Sequence, residues 1–156
     1  MITTRVGLLR LEANESGLTR VTFVGTCQDA PVLSATQGSH RVLDQAEEEL
    51  FAYFAGTLQY FRVPLAMTGT AFQLRVWEAL RQIPYGHTCS YGDIAQALGK
   101  PGASRAVGMA NNKNPLLIIV PCHRVIGQNG QLIGFGSGLP LKQQLLALEQ
   151  PQGRLF

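Results

Sequence analysis

The run Leu116-Leu117-Ile118-Ile119-Val120, followed at once by Pro121, constrains this chain more than any other stretch. Five successive apolar side chains cannot all face water, so the run belongs to a buried core element. Pro121 has a fixed φ and no backbone N–H, so it ends that element and delivers Cys122 to its edge, with His123, Arg124 and Val125 next. A cysteine there is either a small hydrophobe finishing a core strand or a shielded thiol put to use. The neighbours favour use, because an imidazole and a guanidinium directly after a core element are costly to bury unless they are paired. The glycine-punctuated stretch Gly127 to Gly138 then allows another molecule to approach the backbone closely.

The 156 residues, 46% of them hydrophobic, suffice for one domain of ordinary size or two small ones. No apolar run approaches the roughly 20 residues of a membrane span, and Met1 to Arg5 lacks the basic-then-apolar order of a secretory signal. Cys27, Cys89 and Cys122 are an odd, widely spaced set without CxxC or His-x-x-x-His, which argues against a disulfide framework and a zinc site. The expectation is a soluble, cytoplasmic protein with no metal and no cofactor. Charge is uneven: residues 1–68 carry five Arg and seven acids, net −2, whereas residues 69–156 carry eight Lys/Arg and three acids, net +5. A basic second half fits a polyanionic partner, although ordinary surface scatter gives similar numbers.

Val6–Ala13 and Leu18–Val24 are apolar, β-branched runs around the turn cluster Asn14-Glu15-Ser16-Gly17, a β-hairpin pattern. Val42 or Leu43, Ala46, Leu50 and Tyr53 or Phe54 recur at helical spacing, with Gly56 as a stop, and Leu58 to Leu65 reads as another short strand. Met67-Thr68-Gly69 is a linker, dividing the chain into domains 1–68 and 69–156. Thr70-x-x-Gln73 opens a helix with a capping box, and Ser90-x-x-Asp93 starts a second that Gly99 ends. A tight turn, Lys100 to Ala103, leads to a third helical stretch, Ser104 to Ala110. Two short helices joined by a glycine-bearing turn make a helix-turn-helix pattern, which is weak by itself. The last helix, from Pro140 to about Gln150, turns Leu141, Leu145 and Leu148 inward. Glu149 near its end opposes the helix dipole, and reads equally as a solvated acid or a functional one.

A thiol is nucleophilic only as thiolate, and burial alone silences it, so a useful Cys122 needs a proton acceptor oriented by a carboxylate. Neighbours on an extended segment point to opposite faces, so a Cys122–His123 link requires a turn or a bridging water.

Ile119-Val-Pro-Cys-His-Arg-Val-Ile126 resembles the active-site signature of the O6-alkylguanine-DNA alkyltransferases, the methylated-DNA–protein-cysteine methyltransferases. The likeness extends through Phe72-Gln73-x-x-Val76-Trp77, Ile83-Pro84-Tyr85-Gly86, Ser90-Tyr91-Gly92, Ala103 to Gly108, Asn114-Pro115 and Leu145 to Glu149. It covers residues 70–150; the first half shares only a hairpin-helix-strand outline and the Tyr53-Phe54-Ala-Gly56 close. The resemblance implies an α+β protein, with a small ribonuclease H-like sheet-and-helix domain before a mainly helical domain carrying a DNA-binding helix-turn-helix.

It also implies roles. Cys122 is the alkyl acceptor, His123 relays the thiol proton through water under the orientation of Glu149, and Asn114 braces the turn. Tyr91 hydrogen-bonds a ring nitrogen of the departing base, and the Cys122 and Val125 carbonyls read its exocyclic amine. Arg105 replaces the extruded nucleotide in the duplex, with Ser104, Ala106 and Gly108 close to the minor groove. Phe135 and Gly136 line the base pocket, where many members have tyrosine and some have serine. Arg124 supports the backbone near the site and has no assigned chemical role. The implied partner is double-stranded DNA containing O6-alkylguanine, or O4-alkylthymine, met by a free-state monomer away from membranes. The reaction is single-turnover, since nothing in the sequence hydrolyses a thioether. Alternatives are an alkyltransferase-like protein that binds lesions without repairing them, which Cys122 argues against, a Cys-His hydrolase, and a plain helix-turn-helix binding module.

Overall fold

The computed structural model describes residues 1–25, 40–127 and 138–150. Its mixed α/β architecture has a small antiparallel sheet and five α-helices, in two compact units. One unit comprises Met1–Thr68 with Pro115–Leu117, the other Gly69–Asn114 with Ile118–Phe156.

In the first unit, β1 (Ile2–Thr4), β2 (Gly7–Asn14) and β3 (Gly17–Gly25) form an antiparallel sheet in that order. The hairpin turns where expected: Asn14 Oδ1 accepts the N–H groups of Ser16 and Gly17 at 2.8 and 3.1 Å. Gly17 is required there, since a Cβ would lie 2.6 Å from the Pro64 carbonyl oxygen. Helix α1 (Arg41–Phe54) starts with His40 Nδ1 accepting the Val42 N–H and buries Ala46, Leu50, Tyr53 and Phe54.

The stretch from Leu58 to Leu65 is not a strand. The Glu49 carboxylate takes the N–H groups of Arg62 and Val63 at 2.9 and 3.1 Å, and Leu65 alone forms a bridge, to Leu18. A side chain thus satisfies the backbone that a neighbouring strand would otherwise pair. Pro115–Leu117 docks beside β3, with Val21 N–H donating to Pro115 O at 2.8 Å and Leu117 N–H to Val21 O at 3.2 Å.

The second unit holds α2 (Ala71–Arg81), α3 (Tyr91–Ala97), α4 (Ser104–Asn112) and α5 (Leu139–Glu149). A short parallel pair joins β4 (Cys89–Ser90) to β5 (Val125–Ile126). Both capping boxes are present, at Thr70/Gln73 and Ser90/Asp93. The buried Trp77 of α2 donates from Nε1 to the Ala110 carbonyl at 2.9 Å, tying α2 to α4. Between α3 and α4, Gly99 takes φ +75° and the Ala103 N–H donates to Lys100 O at 2.9 Å.

The apolar run 116–120 is buried throughout, but it is not a strand. Leu116 bridges Val21, and the chain then turns at Ile118, whose φ is +73°. A β-branched residue in this region is strained and persists only when its surroundings over-determine it. Among the described residues, no helix is long and apolar enough to cross a membrane, and no group of three His, Cys, Asp or Glu is placed to hold a metal.

Candidate active site

After Pro121 the chain makes a single 3₁₀ turn, Cys122–Arg124, before β5. This turn carries Cys122, His123 and Arg124 from one short segment, and all three are buried. It is pinned from two sides. Cys122 N–H donates to Val120 O at 2.7 Å, and Asn114 donates from Nδ2 to the same Val120 carbonyl at 2.8 Å.

Helix α5 supplies the carboxylate. Its inward face presents Leu141, Lys142, Leu145, Leu146 and Glu149, while Leu148 is only half-buried. Leu141 and Leu145 are thus buried as expected, Leu146 takes the place of Leu148, and Lys142 and Glu149 carry two charges into the core. Glu149, 2% exposed, is met by His123 Nε2 at 2.6 Å, Arg124 Nε at 2.7 Å and Arg124 Nη2 at 3.0 Å. Arg124 also donates to the Ile83 carbonyl at 2.8 Å. Burial works to raise the Glu149 carboxyl, but His123 and Arg124 outweigh it and hold the group down to about 2. An acid of this kind at a helix C-terminus is explained by its partners, not by its helix.

Burial lowers the His123 imidazole below its ordinary value, against the pull of Glu149, so at neutral pH the ring is uncharged. An ionised Glu149 can only accept, so Nε2 carries the ring proton and Nδ1 keeps its lone pair. Nδ1 has no hydrogen-bond partner among the described residues. Glu149 thus fixes the tautomer that leaves a base pointing away from the carboxylate.

Burial pushes the Cys122 thiol up to about 11, although the Asn114 amide and the Lys142 ammonium both favour the thiolate. At pH 7 such a thiol is ionised in about one molecule in 10⁴, so its proton has to leave as the reaction proceeds. Lys142, fully buried, donates from Nζ to the Val125 carbonyl at 2.6 Å. Burial lowers its pKa, while Cys122 works to raise it.

Tyr91 opens α3 half-buried. Its hydroxyl is raised above its ordinary value by burial and then by Cys122, which keeps it a donor. Gly108 of α4 faces the Tyr91 ring, where a Cβ would sit 3.9 Å away. On α4, Arg105 and Ala106 are exposed and Ser104 half-exposed. Val125 is buried at the start of β5. Phe135 and Gly136 lie outside the described residues.

Thus Cys122, His123, Glu149 and Asn114 are gathered around one turn, whereas Arg105 and its helix neighbours lie on the outer side of α4. Sequence reasoning flagged Arg124 as a guanidinium that needs a partner but not which partner, and it missed Lys142 and the buried Asn111. Lys142 had a readable signal: with Leu145, Leu146 and Glu149 it occupies i, i+3, i+4 and i+7 on α5.

Residues 71–151 match the family model for the 6-O-methylguanine DNA methyltransferase, DNA binding domain. The chain is 50% identical over 144 residues to a methylated-DNA–protein-cysteine methyltransferase of Methanosarcina acetivorans, covering 92% of each chain. It is likewise 50% identical over 145 residues to the protein of that name from Mycolicibacterium paratuberculosis, covering 93% of this chain and 87% of the relative. Its fold is similar to that of Mycobacterium tuberculosis OGT in complex with DNA, with a TM-score of 0.84 and 46% identity over 96% of this chain and 90% of the other.

Proposed function

The chain belongs to the 6-O-methylguanine DNA methyltransferase family and is a methylated-DNA–protein-cysteine methyltransferase acting in DNA repair, and from there we propose how its own residues carry the reaction. DNA is its partner. Cys122 sulfur attacks the alkyl carbon on O6 of guanine; a C–S bond forms, the C–O bond breaks, and its electron pair leaves with the base. The thiol proton passes through water to His123 Nδ1, and Glu149 stabilises the imidazolium that results. Tyr91 donates to a ring nitrogen of the departing guanine, where negative charge develops. Asn114 keeps the turn in place, and Lys142 favours the thiolate.

The observation that carries this reading is the pairing of His123 Nε2 with Glu149 at 2.6 Å, which leaves Nδ1 as a buried, uncommitted base on the residue next to Cys122. The 3₁₀ turn supplies the departure from extended chain that such a pair requires. The thioether is chemically inert, so each molecule acts once.

The lesion reaches this buried thiol by flipping out of the duplex, at a cost of a few kcal/mol. Arg105, exposed on α4, enters the gap it leaves, and α3 with α4 form the helix-turn-helix that lies against the minor groove, with Ser104, Ala106 and Gly108 nearest the backbone. The Cys122 and Val125 carbonyls read the exocyclic amine, and Phe135 and Gly136 complete the pocket. Residues 1–68 form a ribonuclease H-like scaffold domain, and residues 69–156 the reactive one. The free thiols Cys89 and Cys122 suit a cytoplasmic setting.

Incubation with duplex DNA containing O6-methylguanine, followed by intact-mass measurement, should add one methyl group, mapped to Cys122. An unmodified mass, or turnover beyond one equivalent, would refute the assignment.

A further inference from the structure

The buried trio lies at the end of α5, and one loop closes over it. Ile83 to Gly86, which follows α2, meets it from the side. Arg124 donates to the Ile83 carbonyl at 2.8 Å, and the Tyr85 ring covers the Arg124 guanidinium at 5.6 Å, within cation–π reach. The Tyr85 hydroxyl donates to the Leu148 carbonyl at 3.3 Å, and Gln150 Nε2 donates to the Gly86 carbonyl at 3.4 Å. Gly86 comes so near Glu149 that a Cβ there would stand 3.3 Å from the Glu149 carbonyl oxygen.

Leu148 belongs to the last turn of α5, whose carbonyls have no partner within the helix. A tyrosine from another segment satisfies the carbonyl just before Glu149, and so fixes the backbone from which the carboxylate projects. Burial, and then the Glu149 charge, raise the Tyr85 hydroxyl above its ordinary value, so it stays a donor. The ring has a separate task. Tyr85 is half-buried while Arg124 is 5% exposed, so the ring is a layer between that guanidinium and solvent. A plain apolar ring would cover the charge as well, but would leave the Leu148 carbonyl without this donor. We propose that Tyr85 is a positioning residue of the proton relay: its hydroxyl holds the end of α5 and its ring keeps water from Arg124, so that Glu149 stays fixed on His123. This rests on the relay of His123 and Glu149 given above.

The test is the pH profile of methyl transfer from a saturating duplex carrying O6-methylguanine. It is timed by intact mass on the full-length protein for wild type, Tyr85→Phe and Tyr85→Ala, with Tm recorded for each. His123 accepts the proton only as a neutral imidazole, so the rate falls at acid pH. Burial opposes charge on that imidazole most; Glu149 favours it, and Arg124 and Lys142 oppose it. The acid limb of the wild type therefore lies below 6.5. Tyr85→Phe keeps the ring and loses the clamp, so its plateau rate should fall about threefold with the limb in place, the order expected for one hydrogen bond. Tyr85→Ala also admits water: its plateau should fall about tenfold, and its limb should move up toward 6.5 as the burial of His123 is relieved. An unchanged plateau in Tyr85→Phe, or an unmoved limb in Tyr85→Ala, would make Tyr85 a packing residue and overturn the proposal. Should Tyr85→Ala not fold, the Tyr85→Phe plateau decides alone. A wild type that takes up no methyl, or whose rate has no acid limb, would overturn the relay itself, and this inference with it.

Discussion

Replacing Glu149 by glutamine isolates what the buried trio contributes. The carboxyl sits at about 2 against an ordinary 4.5, so it is ionised at neutral pH and stabilises the fold through its partners, of which Arg124 is the one that carries charge there. Removing one partner of a buried ion pair strands the other charge and costs about 3–5 kcal/mol, against a total of about 5–15 for a typical protein. The stranded charge here is Arg124, 5% exposed. Glu149→Gln should therefore lower the urea midpoint substantially at unchanged m. Adding Arg124→Met removes the uncompensated guanidinium and should recover about half of the loss. Recovery stays partial because the Ile83 carbonyl then loses its donor, at about 1 kcal/mol. Cys122 alkylation by iodoacetamide, mapped by mass, should be slowed about 10²-fold in both variants, since each lacks the charge that supports His123 as a base. A double variant no more stable than the single would refute the buried-charge argument. Unchanged thiol reactivity would remove Glu149 from the relay.

Arg105→Ala should slow alkyl transfer from duplex DNA far more than from free O6-alkylguanine, and equal slowing on both would give Arg105 a structural role instead. Stability should also fall at both ends of the pH scale, measured as Tm. Glu149 has a depressed pKa, so its contribution is complete above about pH 4.5 and is lost as the pH falls toward 2. His123 adds to the acid loss, because the unfolded chain takes up a proton near 6.5 that the folded imidazole resists. At the alkaline end, Cys122 and Cys89 are both raised from 9 to about 11, so the unfolded state ionises first and stability falls over that interval. Cys122→Ser and Cys89→Ser should each remove part of the alkaline loss, and an unaltered alkaline limb in both would contradict the burial argument.

Local chemistry was the most legible part of this chain. Thr70 with Gln73 and Ser90 with Asp93 specify helix starts within four residues, and Asn14 to Gly17 specifies a turn, so each was readable without knowing what packs against it. Leu58 to Leu65 misled because its apolar content resembles a strand, while the groups that satisfy its backbone belong to Glu49 on α1. The run at 116–120 announced burial but not form, because Ile118 adopts a backbone that its side chain disfavours and only tertiary contacts impose. In the site, Cys122 and His123 stand out by residue type. Arg124 stands out too, but its partners, 25 and 41 residues away, do not, and Lys142 and Asn111 are silent because their partners lie 17 and 11 residues away.

The short segment Pro115–Leu117 has a consequence for how the protein folds. It packs with the first unit, yet it lies between Asn114 and the Cys122 turn, both in the second. Closing the bridge from Val21 to Leu116 requires a very long loop, the kind of contact that forms late and slows folding. During synthesis, β3 therefore emerges long before the strand-like edge that completes it. The backbone pairing of the first unit is thus complete only once residues 115–117 have been made, and cutting the chain at the linker would leave neither piece with its full complement of that pairing.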